Sequence, residues 1–317
     1  MTEPRATARP VRTVFIGSGA FAVPALQALA RDPVVELVGV VTAPSRPAGR
    51  KLASVATPVA QLAAELEVAH VLTPARLREP AAVSHILALE PELIVLADYG
   101  QIVPPALLGI GRGALNLHPS MLPRHRGATP VPAAILAGDR ATGVTLMRMD
   151  EGLDTGPIVA QAGTPIAPDE TATALEARLA AMGADLLASS LEPWLSDDIR
   201  EHPQPTVGVT LTRPLRREDG RMDVSLPAEE LDRQVRAYQP WPGSFVETRN
   251  GRLTVWSSSP AASEHLPAGR FSSRGLATGD GTLLLHEVQP AGGRRMPWVE
   301  YLRGRPGIVG SDVVPTV

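Results

Sequence analysis

Residues 114–127 read A-L-N-L-H-P-S-M-L-P-R-H-R-G, and this stretch decides the fold. Ala114 to Leu117 is a short apolar run holding one amide, and Pro119 cannot continue a hydrogen-bonded ladder, so a strand is predicted to end there. Residues two apart on a strand face the same side, which sets Asn116 beside His118 and turns Leu115 and Leu117 toward a core. An amide donor and an imidazole then meet at the carboxyl end of a strand. In open α/β sheets ligands bind at that end.

A lone Asn or His near a strand end is more often a satisfied structural group than a catalyst. A third group lifts this pair. Residues 149–156 read M-D-E-G-L-D-T-G, with Gly152 and Gly156 permitting a tight backbone path around Asp154. Amide, imidazole and carboxylate together suit an amine attacking a carbonyl carbon. The amide holds a developing oxyanion while the other two handle protons.

These two segments, with Asp154 thirty-six positions beyond His118, resemble the folate-dependent formyltransferase family, whose pattern is Asn-x-His, S-L-L-P-x-x-R-G and then a catalytic Asp. The resemblance covers nearly the whole chain. It implies an α/β fold, a Rossmann-like formyltransferase domain followed by a small OB-like β-barrel domain. It implies a formyl donor, 10-formyltetrahydrofolate, and an acceptor amine on methionine esterified to initiator tRNA, the product serving translation initiation. Asn116, His118 and Asp154 take the catalytic roles, and the Asp154 carboxylate is expected to raise the imidazole pKa. Ser120, Met121, Leu122 and Pro123 lie against the folate, while Arg126 anchors its loop. Residues 98–103, D-Y-G-Q-I-V, resemble the family's A-Y-G-Q-I-L-P and so add Tyr99 and Gly100 to the folate pocket, with Asp98 replacing an alanine. R-P-A-G-R-K at 46–51 resembles the loop that enters the tRNA acceptor end. Arg46, Arg50 and Lys51 match it, although Leu52 and Ala53 stand where further lysines are common.

The bulk composition is compatible with such an enzyme. A chain of 317 residues suits two domains or one large one. There are no cysteines, which removes disulfides, thiolate nucleophiles and Cys-based zinc sites. No His pair has metal-ligand spacing, so no metal is expected. No apolar run approaches the ~20 residues needed to cross a bilayer, and no apolar segment follows the early arginines, so a cytoplasmic location without a membrane partner is expected. Residues 207–317 carry 14 basic against 12 acidic side chains, and the rest 16 against 21. Lys51 is the only lysine.

Along the chain, 13–16 reads as a buried strand leading into G-S-G-A-F-A, which matches the dinucleotide fingerprint G-x-G-x-x-A at Gly17, Gly19 and Ala22. That fingerprint also needs an acidic residue closing the second strand. The second strand, 36–41, runs instead into T-A-P. Further strands are expected at 93–97 and 144–149, and helices at 58–66, 79–89 and 130–137. The strongest helix pattern is 171–190, with Leu175, Leu179, Met182 and Leu186 on one face and Thr173 with Glu176 as a capping box. The Pro-rich, polar stretch 197–206 reads as a linker after a catalytic domain at 11–196, with residues 1–10 a loose tail. Beyond it, strand-like runs at 207–211, 252–256 and 282–287 with Gly-rich turns, plus a helix at 228–237, suggest a small antiparallel barrel over 207–317, the family's tRNA-contacting domain. Three rivals remain at this level: an amino-sugar nucleotide formyltransferase, which would lack this second domain; a dinucleotide-dependent oxidoreductase; and a non-enzymatic nucleic-acid-binding module.

Overall fold

A computed structural model describes residues 9–48 and 53–314. The rest of the expected tail, together with Arg50 and Lys51, lies outside the described residues. Two compact units divide the chain. The first takes in the residues through Pro130, then Ala141–Pro165 and Glu176–Thr212. The second comprises Val131–Arg140, Ile166–Leu175 and the residues from Arg213 onward.

The first unit is built on a seven-stranded sheet in the order Ile158–Pro165, Ala141–Arg148, Ala114–His118, Leu93–Ala97, Val11–Gly17, Val35–Val41, Val71–Leu72. The last five pair in parallel, and the first two join antiparallel to the edge formed by Ala114–His118. Leu93–Ala97 is buried at every position, as expected of a parallel strand covered on both faces. Its Ile94 and Leu96 side chains pack with Val14, Ile16, Ile86 and Leu107 in one apolar cluster. The chain order reverses between Val11–Gly17 and Leu93–Ala97, which makes the crevice above them the topological switch point.

Helix starts follow local chemistry. Thr57 caps Pro58–Glu65 by accepting from the Ala60 N–H at 3.0 Å, and the proline at the first helical position needs no donor. The long helix is Ala172–Leu195, and its capping contact falls two residues before the expected capping box at Thr173. Thr171 accepts from the Ala174 N–H, while Thr173 donates to the Gln239 carbonyl. Its fully buried leucines are 175, 179, 187 and 191; Met182 and Leu186 are only half-buried, because the apolar stripe drifts around the helix.

The second unit carries a curled antiparallel sheet, an OB-like half-barrel, in the order Ser244–Thr248, Gly251–Ala261, Thr282–Pro290, Gly275–Ala277, with Met296–Pro297 also paired to Thr282–Pro290. Leu231 and Val235 of helix Ala228–Ala237 share its core with Leu253, Val255, Phe271 and Leu283. Trp298 stacks between Phe271 and Tyr301, with ring centroids 6.0 and 5.5 Å apart. The strand expected at 207–211 does not form. Gly208 takes a φ of +81°, which breaks the extended run, and Val207 is 84% exposed. Only Leu211–Thr212 is extended, and it pairs in parallel with Arg126–Gly127 of the first unit, to which it belongs.

Candidate active site

Asn116 and His118 end the strand Ala114–His118 at the line where the sheet changes from parallel to antiparallel. Leu115 and Leu117 are sealed in the core on the opposite face, as the period of two requires. Asn116 is only 6% exposed, and among the described residues its side-chain amide has no hydrogen-bond partner. Its amide atoms are not among the buried side-chain atoms that lack a partner, so they reach solvent at the strand end and are open to a bound group.

The His118 ring is held by a hydrogen bond on one side and faces a carboxylate on the other. Nε2 lies 2.9 Å from the His125 carbonyl, which can only accept, so Nε2 carries the proton and Nδ1 is bare in the neutral ring. Nδ1 faces Asp154 Oδ2 at 3.7 Å. The expected rise in the imidazole pKa does not occur. Burial pushes it below the ordinary 6.5 and outweighs the attraction of Asp154 and the His125 carbonyl, which act the other way. His118 is therefore a neutral base with its lone pair aimed at a carboxylate.

Asp154 occupies the left-handed region with a φ of +51°, and its Oδ2 accepts from the Gly127 N–H at 2.7 Å. The turn around it needs Gly156: a Cβ there would stand 1.8 Å from the Arg148 carbonyl oxygen. Asp150 closes the preceding turn, accepting from the Gly152 N–H and the Thr155 hydroxyl.

Between His118 and Gly127 the loop is held by its own polar groups. The Ser120 hydroxyl donates to the Arg124 carbonyl at 2.6 Å. Thr145, opposite His118 in the sheet, donates to the Ser120 carbonyl and accepts from the Leu122 N–H. Gln161 adds donations to the Leu122 carbonyl and Thr145 Oγ1. Ser120, Leu122 and Pro123 are thereby buried within the loop, and Met121 is half-buried with its sulfur against Gly143.

The remaining expected residues separate. The Tyr99 ring packs in the apolar cluster, and its hydroxyl is buried without a partner among the described residues. Gly100 is exposed, and a Cβ there would meet nothing within 4 Å. Arg46 is exposed on the short strand Arg46–Ala48. Sequence reasoning missed Thr145, Gln161, Thr210 and Gln204. Thr210 accepts from the His125 N–H at 2.7 Å, and Gln204 contacts both loops. All four are ordinary polar residues 16 to 85 positions from their partners, with no local pattern to mark them.

A Rossmann-like sheet with amide, imidazole and carboxylate at one strand end, followed by an OB-like unit, has the architecture of a group-transfer enzyme acting on an amine. The family description "Formyl transferase" matches residues 11–191, and "Formyl transferase, C-terminal domain" matches 214–306. The chain is 44% identical over 302 residues to the methionyl-tRNA formyltransferase of Roseiflexus sp. (strain RS-1), covering 93% of each chain. It is 45% identical to that of Thermus thermophilus, covering 93% of this chain and 96% of the relative. Among solved structures, the sugar 3N-formyl transferase WlaRD, in the presence of dTDP and 5-N-formyl-THF, superposes with a TM-score of 0.64 at 16% identity, over 88% of this chain and 97% of that one. The chain belongs to the methionyl-tRNA formyltransferase family.

Proposed function

We infer that the protein transfers a formyl group from 10-formyltetrahydrofolate to the α-amino group of methionine on initiator tRNA, giving N-formylmethionyl-tRNA for translation initiation. The observation that carries the reading is the unpartnered Asn116 amide beside a neutral, oriented His118 and Asp154. Relatives with the tRNA-directed activity in their name match at 44–45% identity over both units, against 16% for the sugar enzyme, which favours aminoacyl-tRNA over an amino sugar as acceptor.

The acceptor amine attacks as the free base. An α-amino group titrates near 7.7–8.0, and an ester on the adjacent carbonyl lowers that further, so a useful neutral fraction exists at physiological pH. A carbon–nitrogen bond forms, the formyl carbon–N10 bond breaks, and the proton that the amine loses is returned to N10. The Asn116 N–H stabilises the charge that develops on the formyl oxygen. Nδ1 of His118 takes the amine proton. The resulting imidazolium is held between the His125 carbonyl and the Asp154 carboxylate. Room for the folate at this end of the sheet is supported by the open space over Gly100 and the free Asn116 amide. Ser120–Pro123, Tyr99 and Gly100 are assigned to its binding, and Arg46, Arg50 and Lys51 to tRNA. No helix among the described residues is long and apolar enough to cross a membrane, and we assign the enzyme to the cytoplasm, where its acceptor is charged. The test is a mass gain of one formyl unit on Met-tRNA that requires the formyl folate. Its absence with active relatives run alongside would reject the reading.

A further inference from the structure

The stretch 197–212 is pinned to the first unit at two places. His202 exchanges backbone hydrogen bonds with Ile158 at 2.8 and 3.0 Å, and Leu211–Thr212 pairs with Arg126–Gly127. Between these anchors stands Gln204, half-buried, whose carboxamide uses both its ends. Oε1 accepts from Nε and Nη2 of Arg126 at 3.0 and 2.7 Å. Nε2 donates to the carbonyls of Asp154 and Gly156 at 2.7 and 2.8 Å. The guanidinium, which only donates, and the two carbonyls, which only accept, leave the amide one orientation.

Two loops meet at this one side chain. Arg126 belongs to the loop that returns from His118, and Asp154 to the loop that brings the carboxylate. Asp154 sits in the left-handed backbone region, which Asp enters more readily than most non-glycine residues, so the place of its turn is set by the hydrogen bonds that reach it. One support is the Gly127 N–H on its carboxylate, which sits next to Arg126 in sequence. The other is Gln204 on its carbonyl. We propose that Gln204 is a positioning residue for the transfer reaction: by clamping the Asp154 turn to the Arg126 loop it sets the approach of Asp154 to His118. The proposal rests on the catalytic reading above. Gln204 itself touches neither reacting group, and acts only through Asp154.

The discriminating experiment is a double-mutant cycle on the full-length enzyme with Met-tRNA and the formyl folate. Gln204→Glu keeps the Arg126 contact but turns a carboxylate oxygen on both carbonyls, so the Asp154 turn loses its hold. A misplacement of about 1 Å costs up to roughly a hundredfold in rate. The expected result is therefore a fall in kcat of about ten- to a hundredfold, with KM for both substrates unchanged. Placed in an Asp154→Ala background, the same change should cost nothing further, because the group it positions is gone. A mere packing role predicts the same multiplicative loss in both backgrounds. That outcome, an effect confined to KM, or no effect on kcat would each overturn the proposal. If Gln204→Glu does not fold, Arg126→Lys, which removes the paired donors on Oε1, enters the same cycle, where a kcat loss that vanishes without Asp154 supports the clamp and any other pattern overturns it. Failure of the wild-type enzyme to formylate Met-tRNA would instead reject the catalytic reading, and is read separately.

Discussion

The Asp98 carboxylate fills the space a side chain at Gly19 would need: a Cβ on Gly19 would stand 1.7 Å from its Oδ2. Asp98 follows the strand Leu93–Ala97 with a φ of +48°, and the Phe21 N–H reaches its carboxylate. In a dinucleotide-binding sheet a glycine-rich turn at the switch point holds a pyrophosphate at the helix N-terminus. Here the chain supplies its own anion to that turn. A reduced nicotinamide cofactor should give no saturable change in fluorescence, and saturable binding would reopen the oxidoreductase reading.

The same carboxyl has a pH signature. Crowding by protein atoms raises its pKa above the ordinary 3.8, although the residue is exposed to solvent, which screens the effect, and the Phe21 N–H opposes the shift. Glu176 nearby is also raised, first by burial and then by the Asp98 charge. A carboxyl whose folded pKa is raised stabilises the fold below the unfolded value and loses that stabilisation as pH rises through the folded one. Asp98→Asn should therefore unfold at a higher temperature than wild type at neutral pH, with the gain vanishing as pH falls toward 3.8. Thermal unfolding across pH measures it; a gain largest in acid would contradict the assignment.

Asn116→Ala should lower kcat by roughly 10²–10³, the usual cost of one oxyanion donor. Near-normal turnover in a well-folded variant would remove Asn116 from the mechanism.

The His118 ring should titrate below the ordinary 6.5 by NMR, since burial dominates its surroundings. Asp154→Asn removes the group that pulls this pKa upward, so the midpoint should move lower still. A midpoint that rises on this substitution would show that the two side chains do not face each other in solution. His118→Ala should cost about 10²–10⁴ in turnover.

Thr145→Val keeps the shape of a buried side chain but strands the Leu122 N–H and the Ser120 carbonyl. Loss of stability of about 1–3 kcal/mol is expected, read as a lower urea midpoint. An unchanged midpoint would mean that water replaces the hydroxyl in the loop.

Replacing Arg46, Arg50 and Lys51 together by Ala should weaken Met-tRNA use and flatten its salt dependence by about 0.7–0.9 per lost phosphate contact in log–log slope. An unchanged slope, with folate binding impaired instead, would reassign the loop.

Much of this architecture was legible along the chain. Period-two alternation correctly turned Leu115 and Leu117 inward and set Asn116 beside His118, because a strand offers no other choice. The capping box at Thr173 missed by two residues: Thr171 takes the capping contact with the Ala174 N–H, and the Thr173 hydroxyl goes to the Gln239 carbonyl instead. The linker reading of 197–206 rested on Pro-rich, polar composition, which marks a lack of regular structure but not a lack of contacts. Gln204 is a case in point: its bonds reach 48 to 78 positions away, mostly to backbone carbonyls and one guanidinium, and such partners leave no periodic trace. Likewise, the sign of the His118 shift depends on how much water the fold excludes, and no spacing in a sequence encodes that.

The pairing of Leu211–Thr212 with Arg126–Gly127 has a consequence for synthesis. The catalytic loops leave the ribosome well before the strand that fastens them. At about 5–20 residues per second the delay between Arg126 and Leu211 runs to roughly four to seventeen seconds. A nascent chain halted near residue 196 would hold every strand of the large sheet yet lack the closing strap. It would be an assembled scaffold waiting for its last fastening.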